Sequence, residues 1–210
     1  NPDITWEKCR KANIGLDVVL FNHLLSFSLD VFKERSTDIL ISNGKIPDMF
    51  GQNIPQLNRG IVENKGFEFS IGHNNKVGEF AYYANFNLAA TKNKVINKDE
   101  QFWKESYRYT TGYPVGEQFG LIAEGLFQSQ EEINESPSQA FYGTIRPGDI
   151  KYGDMNHDGK IDSDDVTRIG RNQVPSINYG LNLGFSYKNF DFGVLFQGTA
   201  QSQALVNGPL

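Results

Sequence analysis

The chain has 210 residues and a formal net charge of −5, which argues against a nucleic-acid partner, because that role needs a basic face to neutralise phosphates. Hydrophobic residues make up 39% of it, yet no apolar run reaches the length of about 18 residues that a membrane-spanning helix requires. A transmembrane β-barrel stays open, since a barrel strand shows lipid only at every second residue, and the lone cysteine, Cys9, excludes an intrachain disulfide framework.

Alternation at period two dominates the chain. In the first predicted strand Ile14, Leu16, Val18 and Leu20 share one face, and Asn13, Gly15 and Asp17 the other. A tight turn at Asn22-His23 leads into the second, where Leu25, Phe27, Leu29 and Val31 alternate with Ser26, Ser28 and Asp30. After a long segment, roughly 37–60, the third sets Phe67, Phe69 and Ile71 against Gly66, Glu68, Ser70 and Gly72. A turn spanning His73 to Gly78 precedes the fourth, in which Phe80, Tyr82, Ala84, Phe86 and Leu88 oppose Ala81, Tyr83, Asn85 and Asn87. A second long segment, 92–175, follows. The fifth strand places Ile177, Tyr179, Leu181, Leu183 and Phe185 opposite Asn178, Gly180, Asn182 and Gly184. Lys188-Asn189 turns the chain into the sixth, with Phe190, Phe192, Val194 and Phe196 on one side.

The connections are lopsided, with tight turns at one end and long segments at the other. Outer-membrane barrels show this asymmetry, their short turns facing the periplasm and their long loops the exterior. Phe21, Phe80, Tyr82, Tyr187 and Phe190 gather near the tight turns, where an aromatic girdle would sit. The expected fold class is therefore all-β: an antiparallel transmembrane β-barrel segment of about six strands with long extracellular loops. Ile14, Leu16, Phe69, Phe86, Leu183 and Phe192 would face outer-membrane lipid; Asn13, Asp17, Asn85, Asn87, Asn178 and Asn182 would face the lumen. A β-sandwich also alternates, so a calcium-stabilised surface adhesion or carbohydrate-binding sandwich is the competing reading. Its second face would be expected to carry more Lys and Glu than the Asn, Ser, Gly and Asp found here.

Within the second long segment, Asp154 to Asp165 fits the loop spacing D-x-[DN]-x-[DN]-G-x5-E, with Asp165 in the last place. Calcium takes six to eight oxygens, and such a loop aims alternate residues inward. Asp154, Asn156 and Asp158 would offer side-chain oxygens, Lys160 its carbonyl, Asp162 an oxygen directly or through water, and Asp165 would close the site. Asp165 is one carbon shorter than the usual Glu, and no long helix precedes the loop. A short helix over Ser163 to Arg168, capped by Asp162 or Ser163, is expected after it. The plainer alternative is a polar turn in which Asp, Asn and Gly serve only for their tolerance of tight geometry. The metal role would be structural.

Nothing in the sequence marks an enzyme. His23, His73 and His157 form no cluster of ligand spacing, Cys9 has no evident partner base, and Glu131-Glu132 reads as a solvated loop face. Neither a nucleophile elbow nor a phosphate-cradling Gly-Lys-Ser/Thr occurs.

Several stretches together resemble the SusC/RagA-type TonB-linked outer-membrane receptors. They are Trp6-Glu7-Lys8 with Asn13 to Asp17, Leu25 to Phe32, Asn58 to Glu68, Tyr113 to Gly116, Gly125 to Gln128, Pro147 to Tyr152 and Tyr179 to Gly198, in one consistent order. The resemblance implies a barrel of about 22 strands with a plugged lumen, of which residues 1–210 would form a later part. It also implies import of large nutrients, oligosaccharides or peptides, with a SusD-like lipoprotein capping the mouth and the TonB complex supplying energy. The plug and TonB box would precede Asn1, and closing strands would follow Leu210.

Overall fold

The computed structural model describes residues 4–42, 56–139 and 143–204. Four long strands come first: β1 (Lys8–Leu20), β2 (Leu25–Ile41), β3 (Leu57–Val77) and β4 (Phe80–Asn97). Four short ones follow: β5 (Gln118–Gly120), β6 (Ala123–Leu126), β7 (Ile150–Tyr152) and β8 (Thr167–Gly170). The hairpin β9 (Ile177–Tyr187) and β10 (Phe190–Ala200) completes the set. The long strands and the final hairpin make one antiparallel sheet in the order β1-β2-β3-β4-β9-β10, so β1 and β10 are its edges. β5 pairs with β8 and β6 with β7 in two small sheets beside it.

The three tight hairpins exist because a few residues accept a left-handed backbone. Phe21, Asn22 and His23 carry φ of 55, 54 and 69°, and the Leu24 amide closes the turn onto the Phe21 carbonyl at 3.2 Å. Gly78 (φ 63°) and Lys188 (φ 54°) open the other two.

Strand ends depart from the sequence expectations. The turn expected over His73 to Gly78 is only Gly78-Glu79, because Asn74, Asn75 and Lys76 stay in the ladder opposite Tyr83, Tyr82 and Ala81. Much of the expected long segment 37–60 is strand. β2 runs to Ile41 and β3 begins at Leu57, with an irregular register between Ser36 and Leu40. Asp38 sits there at φ 61°, and such a bulge breaks the alternation that would have revealed the extension. Residues 43–55 lie outside the described set. β4 likewise continues to Asn97, so the second long segment starts later than position 92.

Among the described residues the buried hydrophobic side chains are Val95, Phe127 and Ile161, none of them from the apolar rows of β1, β2, β9 or β10. Ile14 is 81% exposed, Phe196 57% and Phe192 50%. A sandwich would bury such a face against a second sheet. Among the described residues no second large sheet covers it, and the sandwich reading falls.

Candidate functional site: a two-faced wall and its outer segment

Register decides which side chains share a face. One row across the sheet reads Ile14, Val31, Phe67, Ala90, Ile177 and Ala200. Two residues nearer the tight turns the row is Leu16, Leu29, Phe69, Leu88, Tyr179 and Gly198. All six residues expected to face lipid lie on this side. Phe69 packs edge-on to Phe27 at 5.4 Å and meets Phe86 at 6.1 Å. Towards the turns, Phe185 is 5.8 Å from Phe80 and 5.5 Å from Phe192, which makes an aromatic cluster at the position of an interfacial girdle.

The other face is polar. Asn13 Nδ2 donates to Asp30 Oδ1 at 3.2 Å, and Asn85 faces Asn182 across the β4–β9 ladder. Asp17, Asn87 and Asn178 share this side, as expected for a lumen wall. Glycines keep the wall shallow. A Cβ on Gly180 would stand 2.6 Å from Asn87 Oδ1, and one on Gly184 would stand 2.5 Å from Tyr83 Cζ. Only glycine lets those two side chains lie over the neighbouring strand.

The segment between β4 and β9 is tied back to the sheet. Val95 and Tyr113 share a 2.8 Å backbone bond, and the Thr91 amide donates to Ser176 O at 2.8 Å. Glu100 accepts from the amides of Thr110 and Thr111, both at 2.9 Å, and from both hydroxyls. Burial pushes the Glu100 carboxyl upward, but those four bonds outweigh it and hold it below the ordinary 4.5. Arg108 stacks 3.8 Å over Trp103 and pairs with Asp164, whose carbonyl accepts from Tyr107 Oη at 2.7 Å. Arg168 pairs with Glu117 at 2.9 Å and lies 4.7 Å over Tyr113. A six-residue helix, Gln130–Glu135, starts at Ser129, whose hydroxyl accepts the Glu132 amide at 3.2 Å. Sequence reasoning missed these ties, because partners such as Arg108 and Asp164 stand 56 positions apart.

The Asp-rich loop is closed by its own side chains. Asp154 accepts from the amides of Asp158 (3.3 Å) and Gly159 (2.8 Å). Asn156 takes the Asp158 amide at 3.0 Å and donates to the Asp158 carboxylate at 3.2 Å, so these three residues do come together. The Lys160 amide donates to Asp158 Oδ1 at 2.9 Å. Asp165, fully buried, accepts from Met155 and Asp162, both at 2.8 Å. Gly159 at φ 84° makes the sharp bend, and Ile161 donates to Ser138 O at 2.7 Å beneath it. The short helix expected over Ser163 to Arg168 is a single 3-10 turn, Ser163–Asp165, with Asp162 as its cap. From Thr167 the chain joins β8 instead, pairing with Gly120, and that long-range pairing overrides the local helical tendency. The donor set is all oxygen, as a hard cation prefers. Among the described residues no three acidic, histidine or cysteine side chains are gathered around one point to hold an ion.

A sheet oily on one side, polar on the other and turned tightly at one end is a wall segment of a transmembrane β-barrel. The family model of the TonB dependent receptor-like β-barrel matches residues 1–207, and the chain belongs to that family, in the outer membrane. TonB-dependent receptor P26 of Formosa agariphila is 32% identical over 213 residues, covering 95% of this chain and 21% of that protein. TonB-dependent receptor SusC of Bacteroides thetaiotaomicron is 28% identical over 203 residues, 91% of this chain and 19% of its own. The solved RagAB peptide transporter superposes with a TM-score of 0.68 at 21% identity, covering 96% of this chain and 22% of that one. The RagAB importer in its open-open state gives 0.71. The SusC/RagA resemblance therefore stands, and the chain spans about a fifth of the length of these relatives.

Proposed function

We propose that this chain forms part of the barrel of an energised importer for large nutrients, oligosaccharides or peptides, working with a SusD-like lipoprotein and the TonB complex. The observation that carries the reading is the two-faced six-stranded wall, apolar on one side and lined with Asn on the other. The SusC name of one relative and the peptide transporter among the structural neighbours support the import of such nutrients. The long segments lie outside the cell, and the folded segment between β4 and β9 supports the docking of the lipoprotein. Its internal ties order that surface beforehand, which lowers the entropy lost on association. The Asp-rich loop, which fits the calcium register up to its last place, where Asp165 stands for the usual Glu, would hold one structural calcium that stiffens this surface.

The experiment uses the full-length receptor co-expressed with its lipoprotein. Deleting residues 129–146 should reduce both the co-purified lipoprotein and peptide or oligosaccharide uptake, while the barrel still inserts. An unchanged amount of bound lipoprotein would refute the docking role.

A further inference from the structure

The apolar face of the sheet ends in cations. On the side away from the tight turns, each alternating run continues with the same parity into a basic residue: Val31 into Lys33, Phe67 into Lys65 and Ala90 into Lys92. The register sets Lys33 directly opposite Lys65, and Lys65 directly opposite Lys92. All three are exposed. The next row of the same face reads Arg10, Arg35, Glu63 and Lys94. Glu63 is the one carboxylate in these two rows, and it is paired with Lys33 at 3.0 Å.

Facing residues of an antiparallel ladder hold their Cβ atoms about 5 Å apart, where like charges repel. A solvated sheet relieves this by alternating signs. The opposite face at the same level does so, with Lys11 Nζ 2.7 Å from Glu34 Oε1. On the apolar face Glu63 pairs with Lys33 and lies in the field of Arg35 and Lys65, one carboxylate for the six cations of the two rows. The position indicates which anion is at hand, since the lysine row lies roughly 7 Å along the strand beyond the last apolar row. That is the depth at which hydrocarbon gives way to headgroups.

We propose that Lys33, Lys65 and Lys92 bind the phosphate groups of outer-leaflet lipid headgroups, with Arg35 and Lys94 one row above strengthening the same field. This rests on the reading that the long segments face the exterior, which puts the row in the outer leaflet. Bound phosphate removes the repulsion along the row and fixes the depth of this part of the barrel.

The test uses the full-length receptor in phosphatidylcholine vesicles with and without a diphosphorylated glycolipid, bound lipid being counted by native mass spectrometry. The triple variant K33Q/K65Q/K92Q should bind the glycolipid on the order of a hundredfold more weakly, and Lys65→Gln alone about fivefold. Lys11→Gln, on the lumen face, should bind as the unaltered receptor does. Inorganic phosphate at the same concentration should not displace the lipid. Unchanged glycolipid affinity in both Lys65→Gln and the triple variant overturns the proposal, and so does full displacement by inorganic phosphate. Labelling of a Gly148→Cys variant in which Cys9 is replaced by serine, on intact cells, separates the two readings. External labelling without any lysine effect defeats this inference alone; labelling only from the periplasmic side defeats the orientation beneath it.

Discussion

Glu100 is a single carboxylate that closes a turn of chain by accepting four hydrogen bonds from Thr110 and Thr111. Its folded carboxyl is held below the ordinary 4.5, so the stabilisation is full above that value and is lost as pH falls through the lowered one. Amide exchange at Thr110 and Thr111, corrected for intrinsic rates, should therefore speed up as the solution is acidified below about 4.5. Glu100→Gln should remove that step, and an identical acid profile in the variant would show that other groups cause it. At the Asp-rich loop, Asp154→Ala with Asp158→Ala should cost the full-length receptor one bound calcium and loosen residues 150–170, with the strands intact. Metal analysis of the purified receptor that finds no calcium would leave the loop as a turn held by its carboxylates alone. The register of Asp154 to Asp165 was legible in the sequence. Its closure onto Met155, Asp162 and Ser138 was not, because backbone amides leave no mark in residue identity.

At the scale of the strand, the prediction concerns the two faces. Phe69→Arg or Leu183→Arg, in mid-strand on the apolar side, should destabilise the inserted barrel by about 2–4 kcal/mol. Asn85→Arg or Asn182→Arg, on the opposite side, should cost far less. Reversible unfolding of the full barrel from vesicles measures both, and equal penalties on the two faces would reject the assignment. The faces were readable because alternation survives wherever pairing is regular: every residue assigned to lipid or lumen has the expected parity. The ends of strands were not. Asn74 and Asn75 read as turn residues yet stay paired with tyrosines, and the bulge at Asp38 hid the last turnless stretch of β2. β5 to β8, three or four residues each, are too short to show a period at all. The lysine row was visible in principle, since it only prolongs the parity of Val31, Phe67 and Ala90.

At the scale of the molecule, large apolar side chains on one face and asparagines on the other make sense only between lipid and a watery interior. The six strands supply one arc of that boundary. The segment between β4 and β9 is tied to the end of the arc opposite the tight turns by backbone bonds, Val95 to Tyr113 and Thr91 to Ser176. Structure at that end is thus built on β4, one of the strands that form the wall.

The two edges of the sheet carry a further consequence. Among the described residues β1 and β10 meet no further strand at their outer edges, so about every second residue of their 13 and 11 turns its N–H and C=O away from the sheet. Inside a bilayer such groups have no water to satisfy them, and each one left bare costs several kcal/mol. Insertion therefore cannot proceed strand by strand, with each hairpin settling independently. These strands become stable in the membrane only when the seam on either side is zipped to a neighbour, which makes the folding of the wall a collective event of the whole ring.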